Sequence, residues 1–134
     1  MIINSKEAIL IVDDEVTYCA VIEEILRSYG FLTYIANNAS EALLLLEDTL
    51  PDLIMLDIMM PEIDGITFVR RIRSNPLWDN IPIIIASARP LDKGPDSVGD
   101  IGANAYLSKP FSAKELRTVL REFLAVPESG ILGS

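Results

Sequence analysis

Three aspartates each follow directly on an apolar run of the sequence. Asp13 and Asp14 follow the run at residues 8–12, and Asp57 follows the run at residues 53–56. Carboxylates that lie close together repel, by about 4 kcal/mol for two unit charges 4 Å apart at an effective dielectric of 20. A cluster of the three would therefore call for a cation. Carboxylate oxygens with open positions suit Mg²⁺, which also keeps water and phosphate oxygens as ligands.

A hydroxyl and an ammonium group follow two further apolar runs. Ser87 follows residues 83–86, and Lys109 comes just after residues 105–107. Mg²⁺, a lysine and a hydroxyl together would suit a tetrahedral oxyanion with several charges. Taken singly, each residue has an ordinary explanation as a turn residue, a helix cap or a surface lysine. The joint placement favours a site.

The apolar runs are predicted strands that alternate with helices. The strands cover residues 8–12, 32–36, 53–56, 83–86 and 105–107. Helical spacing predicts helices over residues 16–29, 39–47, 66–73 and from 112 to about 125. Gly30 is placed to end the first helix, while Asn38 and Ser112 each precede a glutamate at capping-box spacing. This alternation predicts a parallel sheet covered by helices on both faces.

The order of the strands decides whether the aspartates meet. Ligands of open α/β sheets bind at the carboxyl ends of the strands, where the strand order reverses. If the order is 2-1-3-4-5, the first and third strands are neighbours at that point, and Asp13, Asp14 and Asp57 converge in one pocket.

Two segments depart from the regular pattern. A fourth helix should lie between Pro90 and Gly102, but that stretch also holds Gly94, Pro95 and Gly99. Glycine and proline inside a helix cost about 1 and 3 kcal/mol, so we expect this helix to be short or replaced by a loop. Residues 1–126 form the predicted domain, and residues 127–134 form a tail or the start of a linker.

Composition excludes several classes of function. The chain has 134 residues, no histidine and a single cysteine, Cys19, which excludes His-dependent triads, an intramolecular disulfide and thiolate metal clusters. A net charge of −9 without a segregated basic patch argues against nucleic-acid binding. No apolar run is long enough to span a membrane, and no secretory signal is evident. We expect a cytoplasmic protein.

The motifs together resemble those of response-regulator receiver domains. They are the pair Asp13-Asp14, the run at residues 56–61 with Gly65 eight positions after Asp57, Ala86-Ser87-Ala88, and the run at residues 106–111. The resemblance covers about residues 7–125. It implies a flavodoxin-like (βα)5 three-layer sandwich and a role in two-component phosphorelay signalling.

The resemblance also implies a role for each site residue. Asp57 would accept a phosphoryl group from a phosphohistidine. Asp14, Asp57 and the backbone carbonyl of Met59 would bind Mg²⁺ or Mn²⁺ directly, with Asp13 acting mainly through metal-bound water. Lys109 would pair with a phosphoryl oxygen and would form a cis peptide bond with Pro110. The switch residues would be Ser87, which moves to the phosphoryl group, and Tyr106, which swings inward behind it.

The implied partner is a sensor histidine kinase or a histidine phosphotransfer protein, docked near residues 16–24. Output would pass through the face of the fourth and fifth elements by protein contact, from a stand-alone receiver or from one cut from a longer chain; we lean slightly to the first. Asn104-Ala105 stand where many DNA-binding members carry two acidic residues used in a dimer. That dimer is therefore not carried over, and dimerisation on phosphorylation stays open.

Two rival classes of function remain. A phosphatase or mutase of the haloacid-dehalogenase type also has an aspartate nucleophile at a strand end, but it needs a second aspartate two residues later, where Met59 stands. A pure interaction module with the same fold would not need the acids, Ser87 and Lys109. A nucleotide-binding fold is disfavoured because the chain has no Gly-rich phosphate loop.

Overall fold

A five-stranded parallel sheet forms the centre of the computed structural model, which describes residues 7–59, 64–88, 99 and 101–126. The sheet has the order β2-β1-β3-β4-β5, as predicted. The bounds of its strands are β1 Ala8–Val12, β2 Leu32–Ala36, β3 Leu53–Leu56, β4 Ile83–Ser87 and β5 Ala105–Ser108.

Helices connect the strands and cover both faces of the sheet. Those with defined bounds in the described residues are α1 Val16–Ser28, α2 Ala39–Asp48, α3 Gly65–Arg73 and α4 Ala113–Leu120. None of the described helices is long and apolar enough to cross a membrane.

The core lies in two layers because successive strand residues point to opposite faces of the sheet. One layer packs against α2 and α3 and contains the strand residues Leu10, Val12, Ile54, Leu56, Ile83 and Ile85. The other packs against α1 and α4 and contains Ile9, Ile11, Leu53, Met55, Ile84 and Ala86. Each fully buried Leu or Ile side chain contributes about 1.5–3 kcal/mol. The two layers hold the sheet rigid beneath its carboxyl edge.

Local signals at the helix ends were predicted well. Gly30 has φ +98°, and the amides of Gly30 and Phe31 donate to the carbonyls of Arg27 and Leu26. This is a Schellman motif, which needs a left-handed residue at that point. Ser112 and Glu115 form a complete capping box at α4. At α2 the box is only half formed, because Asn38 accepts from the Glu41 amide while Glu41 accepts from the amide of Asn37.

The prediction that the last helix extends to about residue 125 was wrong. The α-helix ends at Leu120, and the amides of Glu122 and Phe123 donate to carbonyls three residues back. Leu124 remains buried through this tighter turn. The apolar spacing therefore continues past the helix end, and the sequence pattern does not separate the two conformations.

Several predictions fall outside the described residues. They are the loop at residues 60–63, most of the segment between Pro90 and Gly102, and the tail at residues 127–134. The short or irregular helix expected between Pro90 and Gly102 stays a prediction.

Candidate functional site

The carboxyl edge of the sheet brings the three aspartates together. Asp13 and Asp14 follow β1, Asp57 follows β3, and these two strands are direct neighbours with Val12 paired to Leu56. One carboxylate oxygen from each aspartate lies within 4.8 Å of the others. Asp13 and Asp57 are buried, whereas Asp14 is exposed. The predicted acidic cluster is therefore present in the fold, with one side open.

Lys109 bridges the two buried carboxylates. Its Nζ lies 2.7 Å from Asp13 Oδ2 and 3.4 Å from Asp57 Oδ2. The residue follows β5, whose pairing with β4 places Lys109 at the same edge of the sheet. One positive charge thus offsets part of the repulsion among three negative ones, and a net negative charge remains. That balance, with oxygen ligands only, is compatible with a divalent cation.

Backbone amides fix the remaining carboxylate oxygens. Asp13 Oδ1 accepts from the amide of Glu15 at 2.9 Å, and Asp57 Oδ1 accepts from the amide of Met59 at 2.9 Å. Each buried aspartate is therefore held at one oxygen by the main chain and at the other by Lys109. These contacts orient both carboxylates.

Burial and charge act against each other on the ionisable groups. Burial raises the pKa of Asp13, and the hydrogen bond from Lys109 opposes that shift. Burial alone would lower the pKa of Lys109, but its hydrogen bond to Asp13 and the nearby carboxylates outweigh this effect and raise the pKa. Lys109 therefore carries its charge at neutral pH.

Ser87 lies at the same edge of the sheet as the acidic cluster, and Tyr106 contacts Ser87. Ser87 ends β4 and is fully buried. The hydroxyl of Tyr106 donates to the Ser87 carbonyl at 3.2 Å, and the Lys109 amide donates to the same carbonyl at 2.9 Å. Tyr106 is partly buried against the α2/α3 side of the core. The carbonyl of Ser87 thus links Tyr106 to the chain segment that carries Lys109.

The peptide bond between Lys109 and Pro110 is cis, as the resemblance implied. Met59 lies two residues after Asp57 at an exposed position, and its backbone amide is the group that contacts Asp57. A metal contact by the Met59 carbonyl stays a prediction. So do the individual roles of Asp13, Asp14, Asp57, Ser87, Tyr106 and Lys109, whose positions alone are described above.

Three contacts of the site were missed in the sequence. The Tyr18 ring lies under the Lys109 ammonium, with Nζ 3.7 Å from the ring centroid. The side-chain nitrogen Nδ2 of Asn37 donates to the Asp13 carbonyl at 2.9 Å, and the Cys19 thiol contacts the same carbonyl at 3.3 Å. Helical spacing does mark Cys19 as a core position. The spacing of Tyr18 and Asn37 does not indicate that they reach the site. Their positions depend on how α1 packs on the sheet and on how β2 pairs with β1.

Asn104 stands where many DNA-binding members of the family would carry an acid, and here it contacts Arg73 and the start of β4. Its Oδ1 accepts from Arg73 Nη2 at 2.9 Å and from the Ile83 amide at 2.8 Å. Arg73 also donates to the carbonyls of Gly102 and Asp79. The end of α3 is thereby tied to the start of β5.

A sequence profile of the response regulator receiver domain matches residues 9–121. The chain belongs to the response regulator receiver family. The match contains every residue of the acidic cluster together with Ser87, Tyr106 and Lys109.

Relatives of this receiver include longer proteins. A probable transcriptional regulator, ycf27, from Pyropia yezoensis is 39% identical over an alignment that covers 96% of this chain and 56% of the relative. The response regulator Rre1 from Synechocystis is 34% identical and is matched over 52% of its length. The chain thus spans about half the length of the curated relatives it matches.

Solved structures share the receiver fold. The chemotaxis protein CheY4 from Vibrio cholerae superimposes with a TM-score of 0.83 at 25% identity, covering 90% of this chain and all of the other. The receiver domain of the sensor histidine kinase PA1611 from Pseudomonas aeruginosa has a TM-score of 0.79 at 31% identity, covering 89% and 98%. That structure holds a magnesium ion in its active-site cleft. The flavodoxin-like sandwich is confirmed.

Proposed function

We propose that this receiver takes a phosphoryl group from a partner phosphohistidine onto Asp57, and that the resulting change in the protein is its signal. The observation that carries the proposal is the arrangement around Asp57. A buried carboxylate at a strand end lies beside two further carboxylates and a lysine. The rival phosphatase chemistry lacks its second aspartate, because Met59 occupies that position.

The donor set fits Mg²⁺ or Mn²⁺, with Asp14 and Asp57 as direct ligands and Asp13 acting through water. Only oxygen ligands are present in the cluster, and its exposed side at Asp14 leaves room for water and for a phosphoryl oxygen. A bound ion would neutralise negative charge on the phosphoryl group. The magnesium ion in the PA1611 receiver supports this assignment.

The transfer itself needs positioning more than acid–base chemistry. One carboxylate oxygen of Asp57 forms the new O–P bond. The bond between phosphorus and the donor's imidazole nitrogen breaks, and that nitrogen keeps the electron pair. Lys109 lies 3.4 Å from Asp57 and would pair with an oxygen of the arriving group. The chain therefore needs no histidine of its own, and it acts as a regulatory acceptor that later loses the phosphoryl group by hydrolysis.

The added charge would be read by Ser87 and Tyr106. A phosphoryl group brings about −1.5 to −2 charges and new acceptor oxygens, and the Ser87 hydroxyl is the candidate donor. Movement of Ser87 would alter the carbonyl that Tyr106 now contacts. The β4–β5 face would then carry the signal to a protein partner. A longer parent chain with a DNA-binding output agrees with the relatives that are named transcriptional regulators.

The phosphohistidine partner would dock on α1 beside the site. Val16 and Val21 are 68% and 52% exposed there. A groove of about 480 Å³ runs between α1 and the segment after β5, with Tyr18, Pro110 and Phe111 in its lining. Its apolar surface suits a helix from a cytoplasmic sensor histidine kinase or a histidine phosphotransfer protein. Lys109 lines the same groove, so a docked partner would reach the acceptor.

Intact mass spectrometry after incubation with Mg²⁺ and acetyl phosphate tests the acceptor. We expect one added phosphoryl group on the wild type, none on Asp57→Asn, and full uptake by Asp48→Asn, a control at an exposed aspartate on α2. A chelator should abolish uptake. Equal uptake by Asp57→Asn, or none by the wild type in rapidly quenched samples, would reject the proposal. Size exclusion of the same samples reports whether phosphorylation produces a dimer.

A further inference from the structure

The ammonium group of Lys109 is held on three sides. Besides Asp13 and Asp57, it contacts the face of the Tyr18 ring, 3.7 Å from the ring centroid. At this distance the cation is attracted by the negative face of the aromatic ring. Phe111 packs edge-on against the Tyr18 ring, with centroids 6.3 Å apart and planes at 87°. The orientation of the Tyr18 ring is thus itself supported by a neighbour.

The ring of Tyr18, rather than its hydroxyl, makes the contact with the site. The hydroxyl oxygen is buried and has no hydrogen-bond partner among the described residues. Burial, with the nearby carboxylates of Asp13 and Asp57, raises the pKa of the phenol, so the group stays neutral. Phenylalanine should therefore replace tyrosine here without loss of the contact that matters.

We propose that Tyr18 is a positioning residue for phosphoryl transfer, holding the Lys109 ammonium across the acceptor carboxylate. This inference rests on the proposed function, because it assigns Lys109 to the arriving phosphoryl group. In this role Tyr18 acts through Lys109, not directly on the Asp57 carboxylate or on the arriving phosphoryl group.

The physical reason is the flexibility of a lysine side chain. Its compact, strongly hydrated charge sits on a four-carbon stem that has many rotamers in water. The Tyr18 face excludes water from one side of Nζ, while the two carboxylates fix the other. Preorganised charges stabilise a transition state more effectively than charges that must first be ordered. An aliphatic side chain at this position would leave Lys109 free to turn towards solvent.

The initial rate of phosphorylation by acetyl phosphate at saturating Mg²⁺ tests the inference. We expect Tyr18→Phe to match the wild type and Tyr18→Leu to be about three- to tenfold slower. Magnesium affinity, measured by calorimetry, should stay unchanged in both variants. A wild-type rate in Tyr18→Phe would show that the aromatic face, and not the hydroxyl, is needed. Thermal unfolding of both variants shows whether Tyr18→Leu has also lost packing.

Two further measurements show whether Tyr18 acts through Lys109. In a Lys109→Met background, Tyr18→Leu should cause no additional loss of rate. In NMR spectra of the unphosphorylated protein, the terminal methylene protons of Lys109 should carry an upfield ring-current shift that Tyr18→Phe keeps and Tyr18→Leu removes. An equal or faster rate for Tyr18→Leu, or an unchanged Lys109 shift, overturns the inference while leaving the acceptor assignment intact. Absence of uptake by the wild type would instead reject the proposed function, and the inference with it.

Discussion

Replacing Gly65 with alanine should disturb Asp57, the proposed acceptor, through the backbone that follows Asp57. Gly65 begins α3, and a Cβ atom added there would lie 2.4 Å from the Cα of Ile58 and 2.8 Å from its Cβ. The Gly65 amide also donates to the Ile58 carbonyl at 3.3 Å. Ile58 directly follows Asp57, so any movement that relieves the clash moves the residue next to Asp57.

The size of the effect follows from the missing space. Carbon atoms pack at about 3.5–4.0 Å, so the two backbone segments must separate by about 1 Å. Overpacking of this kind costs about 1–3 kcal/mol, and a better helix former at Gly65 returns at most about 1 kcal/mol. A misplacement of about 1 Å at a reacting group can cost on the order of a hundredfold in rate. We therefore expect a stability loss of about 1–2 kcal/mol and a ten- to hundredfold slower phosphorylation of Asp57.

Urea unfolding and the initial rate of phosphorylation by acetyl phosphate measure the two effects. Gly30→Ala is the matched control. Its added Cβ meets nothing within 4 Å, but its φ of +98° strains any L-residue by about 1–2 kcal/mol. This control should lose similar stability and keep the wild-type rate, because Gly30 lies at the opposite end of α1 from the site. Wild-type rate and stability in Gly65→Ala would refute the reasoning.

Three further predictions concern Mg²⁺ binding at Asp14, the reactivity of the Cys19 thiol, and the hydrogen bonds by which Arg73 connects α3 to the start of β5. Asp14→Asn removes one carboxylate of the acidic cluster and should weaken Mg²⁺ binding by more than about tenfold in calorimetry; unchanged affinity would exclude Asp14 as a ligand. Burial raises the pKa of Cys19 to about 11, so iodoacetamide should modify the folded protein at pH 8 far more slowly than the urea-unfolded chain, and equal rates would contradict this. Arg73→Ala removes the hydrogen-bond donors to Gly102, Asn104 and Asp79 and should lower the free energy of unfolding by about 2 kcal/mol. An unchanged urea midpoint would show that these hydrogen bonds contribute nothing to stability.

Local patterns were enough to define most of the fold. The bounds of β1, β2 and β3 match the prediction. β1 and β3 are continuously apolar, as is typical of buried strands in a parallel sheet. Gly30 and Ser112 mark helix ends by backbone and side-chain chemistry that acts over a few residues. The end of α4 at Leu120 was missed because burial continues in the tighter turn that follows.

The sequence by itself determined which groups could form the site. Asp13, Asp14, Asp57, Ser87 and Lys109 each stand at the end of an apolar run, and parallel strands must present those ends at one edge. Residue type and position along the chain, together with the assumed strand order 2-1-3-4-5, were therefore sufficient to predict the acidic cluster.

Only the tertiary structure decided how those groups are held. Tyr18 reaches Lys109, and Asn37 reaches the Asp13 carbonyl, because helix docking and strand register bring distant parts of the chain within contact distance. Such contacts depend on the orientation of a helix on the sheet, which is set by the sum of many weak packing interactions. No local spacing encodes that sum, so the contacts of Tyr18 and Asn37 with the site became visible only in the folded chain.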